Sequence, residues 1–275
     1  MTEAAESPVP AWSNAFEPGR LRPIRPVRLP ARITRESAWG DGSGTGVKVA
    51  VVDSGIDAGH PRVGRVAGGV VVEPDAAADE GVRFVGGPHA DLYGHGTACA
   101  AIIRGLAPAC ELYSVRVLGA SLTGRGAVLA AGIRWAVEHG VDVVNLSLST
   151  RSRALLDVLY QLVDQAAFAN VMLVSAVNNV PAPSYPSQFS GVFSVAAYHG
   201  RDPERFVANP EPPVEFGAPG IDVEVAWSDG GSLVATGNSF AAPHIAGLVA
   251  RIVAEHPGIT PAEVKTLLRA LADNQ

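Results

Sequence analysis

Five short apolar runs recur along the chain: VKVAVV (47–52), ELYSVRVLG (111–119), VDVVNLSL (141–148), VMLVSAV (171–177) and VFSVAA (192–197). Runs this continuous suit strands buried on both faces, as in a parallel sheet. Between them lie stretches whose apolar positions return every three or four residues, notably GAVLAAGIRWAVEHG (126–140) and ALLDVLYQLVDQAAFAN (154–170). These predict amphipathic helices. A last helix is marked by its own start signal: Thr260 as N-cap, Pro261 at the first helical position and Glu263 completing a capping box. No internal repeat is present. Strand–helix alternation of this kind predicts a doubly wound α/β domain, whose sites lie at the carboxyl ends of the strands.

Composition narrows the picture. The 275 residues are 47% hydrophobic and 17% charged, enough for a well-packed core. Net charge is −6, and no dense Lys/Arg cluster predicts a nucleic-acid partner. No run of about 18 apolar residues predicts a membrane span. The acidic, polar start MTEAAESPVPAWSN lacks the apolar core of a secretory signal, so the expected location is cytoplasmic. Cys99 and Cys110 are too few for a disulfide framework. Residues 1–31, rich in proline and arginine, read as an extended polyproline-like extension, with the folded domain expected over 32–275.

The strand ends carry the candidate chemistry. VKVAVV runs directly into Asp53, a carboxylate held at the tip of a hydrophobic strand. YGHGTACAAII (93–103) sets His95 between two glycines, ahead of a helix of small residues. GNSFAAPHIAG (237–247) sets Ser239 at the start of an apolar helix, where free backbone N–H groups favour negative charge. Each alone has an ordinary structural explanation: an Asp or Ser cap, a packed histidine. His244 cannot serve Ser239, because five residues along a helix is a turn of about 140°.

Together the three segments resemble the active-site segments of the subtilisin-like serine proteases, in the order Asp, His, Ser that distinguishes that family from other triad enzymes. LYSVRVLG, VNLSLS and FGAPG (216–220) fit between them, and the resemblance covers about residues 33–275. It implies a three-layer α/β/α fold around a mostly parallel sheet of about seven strands. It further implies a serine endopeptidase acting on peptide or protein substrates through an acyl-enzyme, with Ser239 as nucleophile, His95 as general base and Asp53 as its orienting partner. In SAVNN, Asn178 aligns with the family's oxyanion asparagine, with Asn179 the adjacent competitor. Ser147-Leu148-Ser149 and Ser175-Ala176-Val177 align with the walls of the pocket for the residue before the scissile bond. No cofactor is implied.

Departures from the family are expectations in their own right. Asn238 and Phe240 flank the serine where the family carries threonine and methionine, and Asn238 is expected to offer a donor near the oxyanion. Ser149 and Val177 replace two pocket glycines, which predicts a narrowed pocket preferring small side chains. The segment between GHGTACAAIIRG and LAPACELYSVRVLG is shorter than in secreted relatives, where it forms a tight calcium loop, so no calcium is expected there and no metal elsewhere. Cys99 matches a free thiol beneath the catalytic histidine of some relatives. The 31-residue extension is shorter than a folding propeptide, and an inhibitory strand across the active site is one reading of it. The activity reading divides into dedicated processing of a precursor peptide and general intracellular proteolysis. A peptide-binding pseudoprotease and an esterase are the rival classes.

Overall fold

The computed structural model describes residues 13–17, 19–24, 26, 29–87 and 89–274. Its helices are α1 (Arg35–Ala38), α2 (His95–Leu106), α3 (Gly126–Glu138), α4 (Leu156–Phe168), α5 (Asn238–Glu255) and α6 (Pro261–Leu271). Its strands are β1 (Lys48–Asp53), β2 (Val66–Pro74), β3 (Val82–Gly86), β4 (Glu111–Arg116), β5 (Val143–Leu146) and β6 (Met172–Ala176). They continue with β7 (Phe193–Tyr198), β8 (Val207–Ala208), β9 (Phe216–Pro219), β10 (Val223–Ala226) and β11 (Ser232–Ala235).

One sheet has the order β3-β2-β4-β1-β5-β6-β7-β9-β8. The seven inner strands are parallel, and β3 and β8 add an antiparallel strand at either edge. The expected seven-stranded count thus describes the parallel body. The two edge strands carry too little apolar pattern to be read in sequence: β8 has two residues, and four of the five in β3 are exposed.

Alternation along β1 explains the layers. Val49 and Val51 enter a core with Ile103 of α2, Ile245 and Leu248 of α5 and Leu267 of α6. Ala50 and Val52 enter a second core with Leu129 and Ile133 of α3 and Leu159 and Leu162 of α4. Thr260 caps α6 through the predicted box: its Oγ1 accepts from Glu263 N, and Glu263 Oε2 accepts from Thr260 N.

The chain winds from β1 towards β2 and β4, then crosses to β5, β6 and β7 on the other side. The carboxyl ends of β1 and β5 therefore meet at the topological switch point, where an open α/β sheet leaves a crevice. Leu29 and Ile33 of the N-terminal segment pack against the α2/α5/α6 core. Residues 1–12, Pro18, Arg25, Val27 and Arg28, also part of the proposed extension, lie outside the described residues.

Candidate active site

Asp53 is the last residue of β1 and wholly buried. Its Oδ1 accepts the Ser54 N–H at 2.7 Å, which leaves the carboxylate facing the first turn of α2. There His95 Nδ1 donates to Asp53 Oδ1 and Oδ2 at 2.8 and 2.9 Å. With its proton on Nδ1, the ring keeps a lone pair on Nε2. The fit depends on glycine: a Cβ on Gly96 would run into the Gly55 carbonyl, and Gly94 has φ 108° beneath Trp227.

Burial disfavours the imidazolium of His95, but the charge and hydrogen bond of Asp53, with a smaller contribution from Asp91, outweigh it and raise the pKa above 6.5. Asp91 carries no signal in the sequence reading except its place four residues before His95. It organises this end of the site. Its Oδ1 accepts from Ser54 Oγ, Tyr93 N and Gly94 N, and its Oδ2 accepts from Thr97 N and Oγ1. Burial would raise its pKa, yet the bonds from Thr97, Gly94, Tyr93 and Ser54 hold it below the ordinary carboxylate value.

Ser239 is the second residue of α5 and shares with His95 a cavity of about 310 Å³. Pro243 supplies no N–H to the carbonyl four residues back, which is that of Ser239. Ser147 Oγ donates to that freed carbonyl at 2.7 Å, and Cys99 Sγ approaches it at 3.6 Å. Ser147 Oγ in turn accepts from Asn145 Nδ2 at 3.0 Å and Cys99 Sγ at 3.2 Å. A proline in the second turn and a serine after β5 thus hold the backbone of Ser239. Burial drives the Cys99 thiol well above its ordinary pKa, so it is a neutral donor here. Cys110 is likewise a free, buried thiol.

The predicted walls divide. Ser147, Leu148, Ser149, Ala176 and Val177 line the cavity, together with Leu122, Gly124, Arg125, Gly126, Leu129 and Thr150. Ser175 does not: it is fully buried within β6, paired with Leu146 and Ser194, one step down the strand from the opening. Asn178 and Asn179 both line the cavity. Asn178 Oδ1 accepts from Val180 N at 3.0 Å, and Asn179 Oδ1 accepts from Asn238 N at 2.9 Å, at the start of α5.

Asn238 corrects an expectation. Its Oδ1 accepts from Ala197 N at 2.8 Å, and its Nδ2 donates to Val177 O and Asn178 O at 3.2 and 3.0 Å. Its donors are taken up in tying the 177–178 segment to β7 and α5, not turned to the cavity. Phe240 packs against the His95 ring, centroids 5.4 Å apart. His244 faces elsewhere: Nδ1 donates to Phe240 O at 2.9 Å, and burial lowers its pKa to about 4.

Among the described residues, Asp53, His95 and Cys99 bring donor atoms within 4.8 Å of one another, as a metal ion would need. Asp53 and His95 are already bonded to each other and the thiol is protonated, which is poor chemistry for a cation. No described helix is long and apolar enough to cross a membrane.

Comparison with known proteins agrees with this geometry. The model of the subtilase family matches residues 44–275. The chain is 31% identical to a thermostable alkaline protease of Halalkalibacterium halodurans over 243 residues, covering 83% of this chain and 63% of that one. It is 31% identical to a subtilisin of Bacillus pumilus over 247 residues, covering 84% and 85%. It therefore spans less than two thirds of the first relative and most of the second. A crystal structure of a cold adapted subtilisin-like serine proteinase superposes with a TM-score of 0.65 at 25% identity, covering 84% of this chain and 83% of the other. A buried Asp–His pair at the sheet's switch point, a serine at a helix start on the same cavity and a match over residues 44–275 lead to one conclusion: the chain belongs to the subtilase family, a family of serine endopeptidases.

Proposed function

We propose that this chain is a serine endopeptidase in which Ser239, His95 and Asp53 form the catalytic triad. The carrying observation is the buried Asp53–His95 pair, which assigns the imidazole proton to Nδ1 and frees Nε2 on the cavity shared with Ser239. Ser239 Oγ attacks the scissile carbonyl as His95 Nε2 takes its proton. The imidazolium, stabilised by Asp53, returns that proton to the leaving amine. Water then hydrolyses the acyl-enzyme by the same path in reverse.

Charge on the carbonyl oxygen needs donors. None of the hydrogen bonds among the described residues uses the Ser239 N–H, and Asn178, its Oδ1 bound to Val180 N, keeps its Nδ2 for the cavity. These two form the oxyanion hole in this reading, and Asn179 caps α5. One such donor is worth about 10²–10³ in turnover, a magnitude measured in subtilisins themselves. Ser149 and Val177 on the cavity wall favour a small side chain next to the scissile bond.

The finer role favoured is processing of a precursor peptide in the cytoplasm, since a narrowed pocket suits few sequences, with general protein degradation as the alternative. A fluorophosphonate probe tests the activity: it labels the wild type and leaves Ser239→Ala unlabelled. Labelling that survives in Ser239→Ala would disprove the assignment. A peptide-library profile dominated by aromatic or basic residues before the scissile bond would remove the narrowed pocket. Cleavage spread evenly over denatured proteins would favour degradation.

A further inference from the structure

Arginines border the catalytic cleft. Arg125 stands exposed on the rim, lining both the catalytic cavity and an adjoining one of about 400 Å³ that shares Val117, Leu118 and Gly124 with it. Arg116 lines the second cavity, and its side chain donates to the Ala90 carbonyl. Thr150 also lines the catalytic cavity and is followed by the exposed Arg151 and Arg153. Leu155 fills the space that a side chain on Gly126 would take, which brings the 153–155 turn against the Arg125 segment.

Among the described residues, no carboxylate pairs with these charges: none of the four arginines makes an ion pair. Glu73 is the one carboxylate lining either cavity, and its Oε2 is bound by Arg83 at 2.6 Å. Asp157, one turn beyond Arg153, also forms no ion pair among the described residues. A chain of net charge −6 thus presents a locally cationic cleft. Apart from His95 and the Arg83-bound Glu73, the other polar side chains lining the two cavities, such as Thr123, Ser147, Ser149 and Thr150, carry no charge, so the guanidiniums are the strongest source of charge selectivity there.

We propose that this enzyme selects peptides carrying an acidic side chain a few residues from the scissile bond, bound by Arg125 with Arg151 and Arg153. The proposal rests on the peptidase reading above and names its substrate class. Arg125 is the specificity-determining residue, because it alone of the four borders both cavities.

A set of fluorogenic peptides tests it: a neutral parent cut by the wild type, with Glu or Lys placed singly at each position on either side of the scissile bond. Glu at one or two adjacent positions should raise kcat/KM over the parent by roughly fivefold at low salt, the scale of one solvent-exposed charge contact. High salt should erase the gain. Arg125→Glu combined with Arg153→Glu should reverse the preference towards Lys at those positions, with Tm as the control for folding. Equal rates for Glu and Lys at every position would overturn the proposal, as would a preference that survives the double reversal. The same peptides binding to Ser239→Ala, followed by fluorescence anisotropy, separate the two readings. Tighter binding of acidic peptides without any wild-type cleavage would keep the charge selectivity and remove the peptidase assignment.

Discussion

His95 shows how much one buried neighbour decides. Its pKa lies above 6.5 because Asp53 outweighs the cost of burying the cation. Catalysis needs the neutral ring, so the acidic limb of kcat/KM should have its midpoint above 6.5. In Asp53→Asn the midpoint should fall and turnover should drop by roughly 10⁴, the scale found when this carboxylate is neutralised in other serine proteases. A midpoint unchanged by Asp53→Asn would refute the pairing. Stability carries the opposite slope. The ion pair's contribution is full below the unfolded imidazole value and is lost as pH rises through the folded one. At this scale Asp53, His95 and Ser239 were legible because each sits in a distinctive local string. Asp91 and the true partners of Asn238 were not, since those bonds join segments up to 61 residues apart.

Among the elements, the passage from α2 to β4 is the most informative. α2 ends at Leu106 and β4 begins at Glu111, where secreted relatives are expected to hold calcium in a longer loop. Here Arg104 takes up the carbonyls. Its Nη1 donates to Pro108 O and Cys110 O at 2.9 and 2.6 Å, its Nη2 to Arg65 O at 2.9 Å and its Nε to Val63 O at 2.9 Å. One guanidinium thus gathers four carbonyls from two segments, a task for which its planar fork is suited and a lysine ammonium is not. Arg104→Ala should cost about 2–4 kcal/mol, judged from the strength of hydrogen bonds to charged groups. Thermal melts should show a fall of roughly 2–4 °C for each kcal/mol, with a chelator leaving the wild-type Tm in place. A large chelator effect on the wild type would contradict this account. The short connection was visible in sequence, whereas the guanidinium that gathers these carbonyls emerged only from the fold. Pro243 is a parallel case: its missing N–H is readable, but that Ser147 fills the gap is not.

For the whole molecule, charge distribution separates two readings of the N-terminal segment. Its arginines would face a cleft already bordered by Arg125, while Leu29 and Ile33 pack on the α2/α5/α6 core. Removal of residues 1–28 should therefore leave kcat/KM on a neutral peptide unchanged, and a marked rise on removal would revive an inhibitory role. The sequence by itself determined the layer order, the parallel body of the sheet and the identity of the three active-site segments. Periodicity and local motifs depend on neighbours within a few residues, and those are written in order along the chain. Only the tertiary structure decided which distant groups stand together: that Ser175 lies inside the sheet, that Asn238 braces the 177–178 segment, and that Arg125, without an ion pair among the described residues, lines the cavity it shares with Ser239. Such meetings join residues tens to more than a hundred positions apart, and the packing that brings them together leaves no local trace in the sequence.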